Sequence, residues 1–124
     1  MLESAKLVAF VPSSDLDRSL EFYGGKLGLE LGSRDDFACE FDAGGTRLRV
    51  TAVKQVLGAP YTVLGWRVED IEAMVAELSA RGVLFEFYDG LEQNANGIWT
   101  SPSGTRVAWF KDPDENTLSL SQAS

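Results

Sequence analysis

An α+β fold made of two tandem βαβββ modules is predicted by a repeat, by two helix signatures and by a set of strand patterns. The repeat comes first. Val8 to Asp17 aligns with Val63 to Glu72, which sets Asp15 on Asp70 and Leu16 on Ile71. Further on, Asp42 to Arg49 aligns with Asp112 to Ser119. The offset is 55 at the first match and 70 at the second, so the second copy carries 15 extra residues. Neither half could bury enough apolar surface alone, and the 124 residues are read as one domain.

Module one is expected over about residues 6–53. Leu7 to Pro12 alternates as a strand, and Ser14 or Asp15 caps a helix with Leu16, Leu20 and Tyr23 on one face. Gly24 and Gly25 are expected to end that helix. Strands follow at Leu29 to Ser33, Phe37 to Phe41 and Thr46 to Ala52, with Ala43-Gly44-Gly45 as the last turn. Residues 54–61, around Gly-Ala-Pro, read as a linker.

Module two is expected over about residues 62–122. A strand from Thr62 to Val68 leads to a helix from Asp70 to about Ala80, where Ile71, Met74, Val75 and Leu78 keep helical spacing. Leu84 to Tyr88 is expected as a strand, and the Asn- and Gly-rich stretch 89–97 as an inserted loop, either a lid or a passive excursion. Ile98 to Thr100, Arg106 to Lys111 and Thr117 to Leu120 complete the sheet, joined by turns at Ser103-Gly104 and Asp112 to Asn116. Asp112 and Asp114 are assigned to shaping that turn.

Composition narrows the chemistry. The chain has no histidine, which removes Ser-His-Asp and Cys-His nucleophilic machinery and every imidazole-bearing metal site. Its one cysteine, Cys39, excludes an intrachain disulfide and is expected to pack in a strand with Phe37 and Phe41. A net charge of -8 repels phosphate backbones and anionic lipid, so no nucleic-acid or membrane partner is expected. No apolar run reaches the length of a membrane span and no secretory leader is evident, so a cytoplasmic protein is expected.

The stretch "DLDRSLEFYGGKLGLEL" and the closing "WFKDPDENTLSL" resemble the vicinal oxygen chelate superfamily, the group of glyoxalases, bleomycin-resistance proteins and extradiol dioxygenases. The resemblance implies a U-shaped mixed sheet around a central trough, with helices on the outer face and a divalent metal in the trough. Its metal ligands would fall at the start of each module's first strand and on each module's last strand, which here are Val8, Val63, Arg49 and Ser119. Valine has no lone pair, arginine repels a cation and a lone serine hydroxyl is a poor ligand. The expectation is therefore a member with no metal and no cofactor. Glu115 stands where the turn of such proteins carries Gly, the counterpart of Gly45.

Strand alternation then assigns the trough. Val8 and Phe10 would face it from one module's first strand, and Val63, Gly65 and Arg67 from the other's. Arg47, Arg49 and Thr51 would join them, as would Thr117, Ser119 and Ser121, with Trp99 beside the insertion. Arg47, Arg49 and Arg67 either form a local positive site for a carboxylate or phosphate, or pair with Glu30, Glu40 or Glu86 across neighbouring strands. Phe85, Phe87, Tyr88, Trp99 and Trp109 cluster near the insertion, and Trp109, beside Phe110, is assigned to core packing. Glu86 and Tyr88 are the candidates for acid/base catalysis without a metal.

The resemblance and the residues together lead to a metal-free protein that sequesters a small amphipathic molecule or antibiotic, as a homodimer. The alternatives are a lyase, isomerase or dioxygenase, with a displaced metal site or with metal-free catalysis, and an interaction protein whose trough is filled by its own side chains.

Overall fold

The computed structural model of the protein describes residues 1–124, which form two compact units, Met1–Leu57 and Gly58–Ser124. Each unit carries a four-stranded mixed sheet of the same topology, as the repeat requires.

In the first unit, β1 (Val8–Ser13) leads into α1 (Leu16–Ser19), followed by β2 (Glu30–Arg34), β3 (Ala38–Ala43) and β4 (Thr46–Ala52). The order across the sheet is β1-β4-β3-β2, with β1 and β4 parallel and the other pairs antiparallel. Of the two candidate caps it is Asp15 that caps α1, its carboxylate accepting from the Asp17 and Arg18 amides. The helix does not stop at Gly24-Gly25. It continues as wider π turns over Leu20–Lys26, a path that buries Phe22 edge-on against Tyr23 and Tyr23 beside Phe41. Gly44 and Gly45 both have positive φ, as a two-residue hairpin loop between β3 and β4 demands, and the Asp42 carboxylate accepts from the Gly45 amide at 2.8 Å.

The core of this unit is the helix-facing side of the sheet: Val11, Cys39, Phe41, Leu48 and Val50, all at most 1% exposed. Phe37 does not join Cys39 and Phe41 there. It precedes β3, its amide bonded to the Asp35 carboxylate, and its ring stands in solvent.

In the second unit, β5 (Thr62–Arg67) leads into α2 (Ile71–Ala80), then β6 (Trp99–Thr100), β7 (Arg106–Lys111) and β8 (Thr117–Gln122), in the order β5-β8-β7-β6. Asp70 caps α2, and the Gln122 side-chain carbonyl at the end of β8 accepts from the Ile71 amide at 2.8 Å. Ile71, Val75 and Leu78 pack from α2 onto Ala108, Phe110, Leu118 and Leu120. Trp66 stacks on Phe110 with ring centroids 6.5 Å apart.

Leu84 to Tyr88 is not a regular strand. It touches β7 through one bridge, Phe85 to Phe110, and through the Glu86 amide bonded to the Trp109 carbonyl at 2.8 Å. β6 takes over farther along β7, with Trp99 opposite Val107. The edge strand that is continuous in the first unit is thus broken in two, because the extra residues leave the sheet between its halves. No helix is long and apolar enough to cross a membrane.

Candidate functional site

Each sheet has one face under its helix and one face open, and the burial of alternate residues shows which side chains lie on which. On β1, Val8 and Phe10 are 40% and 62% exposed while Val11 and Ser13 are fully buried. On β5, Val63, Gly65 and Arg67 are exposed while Leu64 and Trp66 are half-buried toward the helix. The parity expected for both first strands is the parity found.

The open face of the first unit centres on Glu40 of β3. Arg49 lies directly opposite it on β4, and Arg47 lies opposite Asp42. One Glu40 oxygen accepts from the Arg47 guanidinium at 2.7 Å and the other from Arg49 at 2.6 Å. These two hydrogen-bonded guanidinium groups, Arg47 first, hold the Glu40 carboxyl below its ordinary range. Arg47 and Arg49 therefore do not form an uncommitted positive site, since a shared carboxylate spends one donor of each. Glu40 is the partner; neither Glu30 nor Glu86 takes that role. A cleft of about 460 Å³ opens at the end of this face, lined by Lys6, Leu7, Val8, Glu40, Asp42 and Arg47 among others.

The open face of the second unit has a different character. Register sets Arg67, Ser121, Val107 and Trp99 in one row across the sheet, and Gly65, Ser119 and Trp109 in the next. Trp109 is not a core residue beside Phe110. Neighbours in a strand point to opposite faces, so Phe110 goes under the helix and Trp109 stands on the open side. There it meets Tyr88 edge-on at 5.6 Å and Trp99 at 6.1 Å between ring centroids. Glu86 lies on the same face, and its carboxylate is 3.9 Å from the Lys111 ammonium, which also has Glu115 at 3.6 Å. Burial, followed by the nearby Glu86 carboxylate, pushes the Tyr88 phenol up, so it is a proton donor rather than a base at neutral pH.

The inserted segment is tied down. Gln93 accepts from the Tyr88 amide at 2.8 Å and donates to the Glu86 and Gly97 carbonyls at 3.0 and 2.8 Å. Asn94 and Asn96 both donate to Glu72 on α2, which also takes Arg106. Sequence reasoning missed Gln93 altogether. Its only signal was a polar residue able to both donate and accept inside a Gly- and Asn-rich stretch. Asp112 does shape its turn, as expected: it is 4% exposed, and its carboxylate accepts from the Asp114 and Asn116 amides and the Asn116 side chain.

The donor set does not fit a divalent metal at the four positions named above. Val8 and Val63 present carbon, Arg49 is a cation held by Glu40, and Ser119 offers one hydroxyl. Nor do any three Cys, Asp or Glu side chains converge elsewhere into a group that could hold a metal ion.

The sequence model of the Glyoxalase/Bleomycin resistance protein/Dioxygenase superfamily matches residues 6–120. No curated protein matches the sequence. Among solved structures, a superfamily member from Sphaerobacter thermophilus is similar at 23% identity and a TM-score of 0.76, covering 98% of this chain and 99% of that one. Lactoylglutathione lyase from Agrobacterium tumefaciens is similar at 19% identity and a TM-score of 0.70, over 96% and 93% of the two chains. The fosfomycin resistance protein FosX from Listeria monocytogenes is similar at 15% identity and a TM-score of 0.74, over 98% and 94%. At these identities the likeness is one of fold.

Proposed function

This chain belongs to the glyoxalase/bleomycin resistance protein/dioxygenase superfamily, and we propose that it acts there as a metal-independent binder of an amphipathic small molecule. One observation carries the reading: where the family's metal ligands would fall stand Val8, Val63, Ser119 and an Arg49 already paired with Glu40. Lewis-acid catalysis has no ligands at that place, whereas the aromatic and polar open face of the second unit keeps what a ligand needs. Those two features support sequestration without chemistry. In this reading the protein is cytoplasmic and works as a homodimer, without cofactor, nucleic acid or membrane.

The test is thermal unfolding with chelator, then with Ni²⁺, Zn²⁺, Mn²⁺ or Fe²⁺ added in turn, followed by a small-molecule screen. A specific binder at 100 times its Kd adds about 2.7 kcal/mol, so a bound metal would visibly raise the midpoint. The expected result is no shift with any metal and a shift with an amphipathic ligand that is recovered unchanged. A stoichiometric shift with one metal would replace this reading by an enzyme with a displaced site.

A second reading has one specific support, the placement of Glu86 and Tyr88 on one face beside Trp109. It is metal-free acid/base catalysis in a lyase or isomerase. Recovery of a transformed ligand, abolished in Glu86→Gln, would select it.

A further inference from the structure

Resting on the small-molecule reading, we infer that the open face of the second unit takes a planar aromatic carboxylate, with Trp109 as its stacking wall and Arg67 as its anion partner. Two features of that face decide the chemistry of the occupant.

The first is its relief. Trp109 and Ser119 lie opposite each other on β7 and β8, and Gly65 lies opposite Ser119 on β5. Gly65 is exposed and has no side chain, Ser119 is small, and the indole of Trp109 stands at the side of this low floor. Trp99 and Tyr88 brace that indole from two directions, which fixes its plane at little cost in side-chain entropy when a second ring stacks on it. A flat ring fits such a floor and wall; a branched aliphatic body would leave the indole face unfilled.

The second is charge. Arg47, Arg49 and Lys111 on the open faces are committed, and on the second unit's face that leaves Arg67. Arg47 and Arg49 share Glu40, and Lys111 stands between Glu86 and Glu115. Arg67 is exposed, sits opposite Ser121 and has no carboxylate partner. Its row is two residues along the strands from the row of Trp109 and its strand is two strands away across β8, so the two Cα positions are about 12 Å apart. A two-ring acid stacked on Trp109 and lying over Ser119 spans part of that distance, and the extended arginine side chain spans the rest. Arg67 then supplies the bidentate fork that suits a carboxylate.

The probes are 2-naphthoate and the matched cation 2-naphthylmethylammonium, titrated by calorimetry and by tryptophan fluorescence into the full chain. Trp66, stacked on Phe110 on the helix side of the sheet, gives a signal the ligand should not move, whereas Trp99 and Trp109 are on the open face. The expected result is saturable binding of naphthoate, weakened about tenfold or more in Arg67→Gln and only partly restored in Arg67→Lys, which returns the charge without the bidentate fork. Trp109→Leu should lose the fluorescence change and most of the affinity for the acid, while the far-UV spectrum stays that of the parent.

Naphthylmethylammonium binding as tightly as the acid, or naphthoate affinity unchanged in Arg67→Gln, would overturn the carboxylate assignment while leaving a small-molecule binder in place. Saturation by neither probe would overturn the aromatic site, and the binding function proposed for this face with it.

Discussion

The Ser119 hydroxyl lies 2.8 Å from where a β-carbon on Gly65 would stand, closer than real Cβ contacts come. Gly65 is therefore required by its neighbour across the strand pair, not by its backbone angles. Gly65→Ala should cost about 1 kcal/mol in urea unfolding, the low end for overpacking because a serine side chain can turn away. In a Ser119→Ala background the same substitution should cost much less. Equal costs in both backgrounds would place the strain elsewhere.

Glu40 ties the first unit's stability to pH. Its carboxyl is lowered from the ordinary 4.5 by Arg47 and then Arg49, so its contribution is fully present above that value. It is lost as pH falls through the lower folded-state value. Glu40→Gln should be less stable than the parent at neutral pH, and the two stability curves should converge as the pH drops below about 4. Parallel curves down to strong acid would show that the pair contributes nothing.

Glu115 is the one non-glycine residue with positive φ, at 67°. Its side chain is largely exposed and its pair with Lys111 is loose, at 3.6 Å, so little is lost with it. Glu115→Gly should raise stability by about 0.5–1 kcal/mol, because glycine enters the left-handed region without steric cost. A fall in the unfolding midpoint would mean that the Lys111 contact outweighs the backbone strain.

Gln93→Ala removes three hydrogen bonds at once from the inserted segment. Hydrogen exchange at the Tyr88 amide should speed up by about one to two orders of magnitude, while amides in β7 and β8 keep their protection. Uniform acceleration across the second unit would show that the segment is part of the global fold.

The sequence repeat carried the topology, because two copies of one module must bury equivalent faces. Val11 and Trp66 therefore fell to the helix side and Phe10 and Arg67 to the open side, as alternation dictates. Pairing was harder to read. Arg49 sat beside several candidate carboxylates, and only the register of β3 on β4 selects Glu40. Trp109 was misplaced for a related reason: two adjacent aromatics are both plausible core residues until the sheet decides which faces the helix. Leu84 to Tyr88 has the composition of a strand, yet an edge segment interrupted by an insertion pairs only where its neighbour is free. The π turns after Ser19 had no signal in apolar spacing, since a one-residue widening of a short helix leaves that spacing nearly unchanged.

In both units the first strand lies against the last, β1 on β4 and β5 on β8, in parallel. A nascent chain emerging from the ribosome thus holds β1 without its neighbour until Thr46–Ala52 has been made, and β5 without its own until Thr117–Gln122. Neither sheet can close early, and the loop-closure cost falls before the reward. All four strands of the first unit, however, are made by Leu57, so its pairing partners are all present while the second is still being synthesised. The second lacks the partner of its first strand until Thr117–Gln122 has emerged.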